Sequence, residues 1–370
     1  MTRLLFLEMK GTVYGGQKAL LARCRELDAR GLDYTILHPF RESDFIEQYQ
    51  DLGLKGELVA ATLRWPPAAR PLVTLAGCLR RLIGRRGVDA VHCEAFDAAY
   101  IAVVARALAF SRARLIFTVR SERYLNFSAL DRFFLKFVDR LATNSEFSRG
   151  KIAEGLDVAP ERVAVTYSPI SFADAKTDEE APEATDGPSQ AKAIAFVGSF
   201  EPRKKLDLFI DLGVALRKRG GPAHRFLIFG GPKTAEQERY LRSLQARIAA
   251  SGVSDAFEFC GYERVGRIAR RSDLIVCPYE NEPFGRVVAE FLHLGLPVLI
   301  RDSGGLAEAG LGFAAQAPGE SDAEVLEAFA EAIASGRAFE RRGDLAEIRR
   351  RLDAAYSVGA VLDRELAMYA

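Results

Sequence analysis

Glu282 and Glu290 stand eight residues apart, with Pro283, Phe284 and Gly285 between them and the helical apolar pattern of Val287, Val288, Phe291 and Leu292 across the second acid. A glycine at that turn lets backbone approach a ligand, and the amides that open the following helix attract anions, so the segment suits a diphosphate. A bare pair of acids would equally suit a helix start with one exposed and one capping carboxylate. Phe284-Gly285 inside the pair, with Gly295 and Pro297 after it, favours the ligand reading.

A second cluster points the same way. The strand pattern AIAFVGSF runs into EPRKKLDLFIDL, which sets Arg203, Lys204 and Lys205 in a strand-to-helix loop. Cations at a helix start oppose the macrodipole unless an anion joins them. There they could neutralise a leaving diphosphate without a metal. In the first half, LEMKGTVYGGQKALL puts Gly11, Gly15 and Gly16 between a strand and a helix, but the spacing does not match the G-x-G-x-x-G of a dinucleotide site. His38, His224 and His293 show no partner spacing, and no metal site or resident cofactor is expected.

The segment from Glu282 to Val298 resembles the donor-site signature of family 4 retaining glycosyltransferases, also called glycosyl transferases group 1. The resemblance implies a GT-B fold, two doubly wound Rossmann-like α/β domains facing across a cleft. It also implies a nucleotide-sugar donor, with Glu282 contacting the sugar and Glu290 the ribose. Lys204 matches the family's phosphate-binding lysine, while Ser199 stands where an arginine is usual, leaving Arg203 as the nearest substitute. FLIFGGP (226–232) and FEFCGYE (257–263) resemble the strand ends that meet the base, with Tyr262 the candidate contact. Gly15 and Gly16 resemble the glycine loop that approaches donor phosphate and acceptor. Arg120 falls where many members carry an active-centre histidine; it stays protonated, so it would orient a hydroxyl or grip an acidic acceptor, unless it is simply an exposed arginine. His92 resembles the first histidine of a His-x-His variant, with Glu94 in place of the second.

The implied activity is metal-independent hexosyl transfer to a glycan or lipid-linked acceptor in cell-surface polysaccharide or glycoconjugate synthesis. Because Ser199 and Arg120 depart from the pattern, two other readings stay open: a sugar-nucleotide-binding protein without catalysis, and a GT-B-like epimerase.

The elements that must hold these residues read as α/β throughout. Apolar runs such as RLLFLEM, DYTILHP, DAVHCE and RLIFTV, then AIAFVGSF, HRFLIFGG, FEFCG and LIVCPY, alternate with amphipathic stretches, as in parallel sheets covered on both faces. Residues 171–190 are acidic, small and proline-containing, and read as a flexible linker. The expected division is therefore 1–170, 191–350, and a C-terminal helix from 351 to 370 that the resemblance packs back on the first domain.

The chain has 370 residues, 51 Lys plus Arg against 50 Asp plus Glu, and 49% hydrophobic residues, which suits two globular cores and offers no field for nucleic acid. Five cysteines without CxxC spacing read as reduced thiols, and the short LLFL run near the start is no signal-peptide core, so a cytoplasmic setting is expected. Trp65, LRRLIGRR (79–86) and RFFLKFVDR (132–140) are basic and apolar, suited either to helices packing by one side or to contact with the inner face of the membrane.

Overall fold

The computed structural model describes residues 3–13, 15–60, 70–120, 126–173, 191–220 and 222–369. Trp65 and positions 174–190, which make up most of the expected linker, lie outside them. The chain divides into two compact units, Met1–Ile170 with Ala355–Ala370, and Ser171–Ala354.

The first unit alternates strand and helix: β1 (Leu4–Leu7), α1 (Gly15–Ala29), β2 (Tyr34–His38), α2 (Asp44–Asp51), β3 (Glu57–Ala60), α3 (Arg70–Arg86) and β4 (Ala90–Cys93). It continues with α4 (Phe96–Leu108), β5 (Arg114–Val119), α5 (Ala129–Leu135), β6 (Arg140–Thr143), α6 (Glu146–Leu156) and β7 (Val163–Val165). All strand pairs are parallel, in the order β3-β2-β1-β4-β5-β6-β7. The alternation of side chains along a strand decides which core each residue joins. Leu5 and Leu7 of β1 face a core with Leu79, Ile101 and Phe117, while Leu4 and Phe6 face another with Leu20, Cys24 and Leu27.

The second unit runs β8 (Lys192–Val197), α7 (Leu206–Lys218), β9 (His224–Phe229), α8 (Ala235–Ser251), β10 (Phe257–Gly261), α9 (Val265–Arg271) and β11 (Leu274–Cys277). Then follow α10 (Arg286–Leu294), β12 (Val298–Arg301), α11 (Leu306–Ala309), β13 (Ala315–Ala317), α12 (Asp322–Ala334) and α13 (Leu345–Tyr356). Its parallel sheet has the order β10-β9-β8-β11-β12-β13. The last helix, α14 (Val358–Tyr369), belongs to the first unit and lies against α1. Both sheets reverse their strand order once, between β1 and β4 and between β8 and β11, and ligands of such sheets bind beyond the carboxyl ends at that reversal.

Local signals fix several helix starts. Ser128 and Ser321 form capping boxes with Asp131 and Glu324, and Ser145 and Thr234 cap α6 and α8. Within 79–86, Leu79, Leu82 and Ile83 are buried, so the apolar side of that basic stretch packs inward. All five cysteines are free thiols; Cys24, Cys93 and Cys277 are buried, and Cys78 and Cys260 are part-exposed. Among the described residues, no helix is long and apolar enough to cross a membrane.

Candidate active site

At the β8/β11 reversal the two charged segments meet. The backbone leaves β8 through Gly198 and Ser199, makes a single 3-10 turn at Pro202–Lys204, and enters α7 through Lys205 in the left-handed region (φ 51°). This turn buries Lys204, whose Nζ lies 4.1 Å from the centre of the Tyr279 ring and donates to Glu282 Oε2 at 2.6 Å. Arg203 Nη1 donates to the same oxygen at 2.7 Å, and its Nε donates to Glu201 at 2.8 Å. Ser199 Oγ donates to the other oxygen of Glu201 at 2.8 Å. The Tyr279 hydroxyl donates to the Val197 carbonyl, and the Glu280 amide donates to the Arg203 carbonyl at 2.8 Å. The loops after β8 and β11 are thereby tied together.

Burial pushes the Glu282 carboxyl up, but Lys204 and Arg203 outweigh it and hold it below the usual range, so it is ionised at neutral pH. Two cations focused on one largely buried carboxylate oxygen can instead meet an oxygen of another anion. Lys205 takes no part: it pairs with Glu280 and Asp322, each at 3.0 Å.

Beyond Glu282 the backbone is held by a loop that the sequence reading missed. After β12, Gly305 donates to the Glu282 carbonyl at 2.8 Å and Ser303 Oγ accepts the Asn281 amide at 3.0 Å. A Cβ on Gly304 (φ 66°) would lie 2.3 Å from the Glu282 carbonyl oxygen, so only glycine allows this approach. A glycine pair directly after a strand was the one available signal, and any tight turn shares it. Gly285 (φ 88°) opens α10, Phe284 is buried, and Glu290 sits one turn into the helix, 3.1 Å from Arg286. Tyr262 is 61% exposed beyond β10, and its hydroxyl donates to the Gly231 carbonyl at 2.7 Å, leaving an aromatic ring at the strand ends.

The first unit gathers a different set at its own reversal. Glu94, just after β4, pairs with the fully buried Arg23 of α1 and accepts from Arg120 Nε at 3.0 Å. The remaining Arg120 nitrogens donate to the Tyr167 carbonyl and to Glu365 of α14, both at 3.0 Å. Burial raises Glu94, but Arg120 and Arg23 bring it down to about 2. His92 lies between the hydroxyls of Tyr369 (2.6 Å) and Thr118 (2.8 Å), and burial beside Arg23 lowers it to about 3. Gly15 and Gly16 open α1 with nothing within 4 Å of an added Cβ. Glu8, which follows β1 and was not anticipated, accepts from Gln17 at 3.1 Å, and burial raises its carboxyl.

Two parallel, doubly wound units of this kind define a GT-B glycosyltransferase fold. Residues 13–173 match the family described as Glycosyltransferase Family 4 and residues 177–336 match Glycosyl transferases group 1, so the chain belongs to the family 4 GT-B glycosyltransferases. It is similar in structure to HepE of Anabaena in complex with UDP and glucose, with a TM-score of 0.76, 16% identity, and coverage of 100% of this chain and 99% of that one. It also resembles a glycosyltransferase of Rickettsia africae, with a TM-score of 0.79, 14% identity, and coverage of 100% and 97%. In sequence it is 31% identical over 183 residues to the D-inositol 3-phosphate glycosyltransferase of Salinispora tropica, covering 45% of this chain and 38% of that one. The chain spans about two fifths of the length of the curated relatives it matches.

Proposed function

We propose that this chain transfers a sugar from a nucleoside diphosphate donor to a hydroxyl acceptor, with the donor held by the second unit. The carrying observation is the convergence of Lys204 and Arg203 on Glu282 Oε2 at the β8/β11 reversal. On donor binding the two cations shift part of their charge to the diphosphate, which stabilises it as it leaves. Glu282, released from one or both, takes the sugar hydroxyls. Glu290 on α10 takes the ribose, Tyr262 stacks with the base, and Gly285 lets the helix start approach the phosphates. Ser199 braces Glu201, which in turn holds Arg203 in the place of the family's usual arginine. No metal is required in this scheme.

Complexes of HepE with UDP and with UDP-glucose support a uridine donor as the first to try, and the inositol phosphate transferases support a phosphorylated polyol among the acceptors. Glycan and lipid-linked acceptors of polysaccharide synthesis stand beside it. Retention of configuration follows the family. Arg120, with its guanidinium engaged by Glu94, Glu365 and Tyr167, serves to hold the first unit's strand ends in place and takes no proton.

A panel of UDP, GDP and ADP sugars with and without acceptor tests the reading: acceptor-dependent nucleotide release and a product of unchanged anomeric configuration are expected. Tight binding without turnover on any acceptor would favour a binding protein, and isomerised donor an epimerase. Glu290→Ala is expected to weaken nucleotide binding about tenfold, as loss of hydrogen bonds to one charged group does. Glu282→Ala is expected to lower kcat by far more than it changes Kd. Wild-type kinetics in both variants would overturn the site.

A further inference from the structure

The first unit carries an apolar surface that neither core accounts for. Leu130 and Phe133 on α5 and Phe137 in the turn that follows it all face solvent, Phe133 being 55% exposed, while Asp131 and Leu135 on the helix and Val138 after it are buried. The exposed side of this helix is therefore its greasier one, the reverse of a packing helix. The neighbouring helix extends the surface: Val104 and Leu108 lie one turn apart on α4, and Phe110, just beyond it, is 96% exposed.

The two helices form one face. The Tyr100 ring of α4 lies 4.7 Å from Phe134 of α5, Phe133 lies 5.3 Å from Phe137, and Arg106 Nη2 donates to the Phe137 carbonyl at 2.5 Å. Around these six residues the exposed charge is predominantly positive, with Asp97 in the first turn of α4 and Asp139 the exposed acids. Arg112, Arg114, Arg132, Lys136 and Arg140 are exposed and form no ion pair among the described residues, while Asp139 is taken by Arg106 and Asp131 is buried. Both helices descend from the carboxyl ends of β4 and β5, so Leu108, Phe110 and Phe137 lie toward the amino ends of the strands, away from Glu94 and Arg120.

We propose that this α4/α5 face docks on an anionic membrane surface, its phenylalanines entering the interfacial layer and its five cations meeting lipid phosphates. Charge selects the occupant. A second copy of the chain in a two-fold interface would set these cations against themselves, whereas an anionic bilayer offers the sign that complements all five. The stretch at 79–86, also basic and apolar in sequence, is not part of it, because Leu79, Leu82 and Ile83 are core.

Sedimentation of the full chain with vesicles of phosphatidylcholine and phosphatidylglycerol, against phosphatidylcholine alone, tests the docking. Binding to the mixed vesicles only, weakening as salt is raised, is expected; each cation contributes about fivefold to partitioning at low salt. Arg132→Glu with Lys136→Glu alters exposed side chains alone and should abolish sedimentation while leaving the thermal transition in place. Phe110→Ser with Phe133→Ser and Phe137→Ser should lower it at least tenfold. Equal sedimentation with both vesicle types, no sedimentation at low salt, or wild-type binding by the charge-reversed protein would overturn the proposal. A dimer in lipid-free buffer that the serine variant dissolves would overturn it in favour of a second copy.

Discussion

His92 shows what one side chain's surroundings impose on the protein's response to pH. Its ring is buried between two hydroxyls, and Arg23 and Arg120 add positive charge nearby, so the folded chain holds it neutral down to about pH 3. The unfolded chain protonates it near the usual 6.5. Unfolding therefore takes up a proton below that value, and the stability this histidine supports is complete above pH 6.5 and declines as pH falls toward 3. The slope approaches about 1.4 kcal/mol per pH unit for one proton. Glu94, held near 2, adds a loss with the same sign at lower pH, whereas the raised carboxyls of Glu8 and Glu365 oppose it. On going from pH 7 to 5, the urea midpoint of the wild type should fall relative to that of His92→Gln. Parallel curves would mean that His92 contributes no proton uptake.

At the scale of elements, Arg23 joins α1 to the end of β4 and to α14 through Glu94 and Glu365, the latter at 3.5 Å. None of these side chains reaches bulk solvent freely, so removing one leaves the others desolvated and incompletely paired. Arg23→Met should destabilise by about 3–5 kcal/mol, and combining it with Glu365→Leu should cost less than the sum of the two single changes. Strict additivity in a denaturant cycle would show that the two residues act independently. This pairing could not be read in the sequence: α1 reads as an ordinary amphipathic helix, and nothing near Arg23 announces partners so remote along the chain. Strands were legible where their residues are apolar: the mostly exposed FEFCG of β10 was read, and the largely buried RLAT of β6 was not. LLFL, AVHC, KAIAFV and LIVC are apolar on consecutive residues because helices cover both faces, whereas β3 (ELVA) and β13 (AQA), at the sheet edges, are half-exposed and carry too little apolar pattern. Within the site, Glu282 and Lys204 stood out because their segments depart from bland helix starts. Ser303 to Gly305, which fix the backbone of Glu282, look like any turn.

For the whole molecule, the consequential feature is that the chain returns to its first unit. Leu362, Met368 and Tyr369 of α14 complete the core face that Leu4, Phe6, Leu20 and Cys24 begin, and the Ile170 amide donates to the Tyr356 carbonyl at 2.8 Å. Ending the chain after Ser357 removes those three side chains together with Glu365, and leaves Arg23 short of a partner. Each large side chain lost from a core costs about 2–5 kcal/mol, so their combined loss is comparable to the whole stability of a domain. The second unit has its own core around Phe196, Phe209, Phe229 and Phe291, none of which depends on α14. Calorimetry of the shortened chain should therefore show a transition lowered by many degrees beside one that stays in place, and trypsin should leave the second unit, Ser171–Ala354, as the more resistant part. If UDP is the donor nucleotide, only the retained transition should rise with its concentration, by about 2.7 kcal/mol at a hundredfold excess over Kd. A single transition, shifted as a whole, would instead mean that the two units unfold as one and that α14 stabilises both.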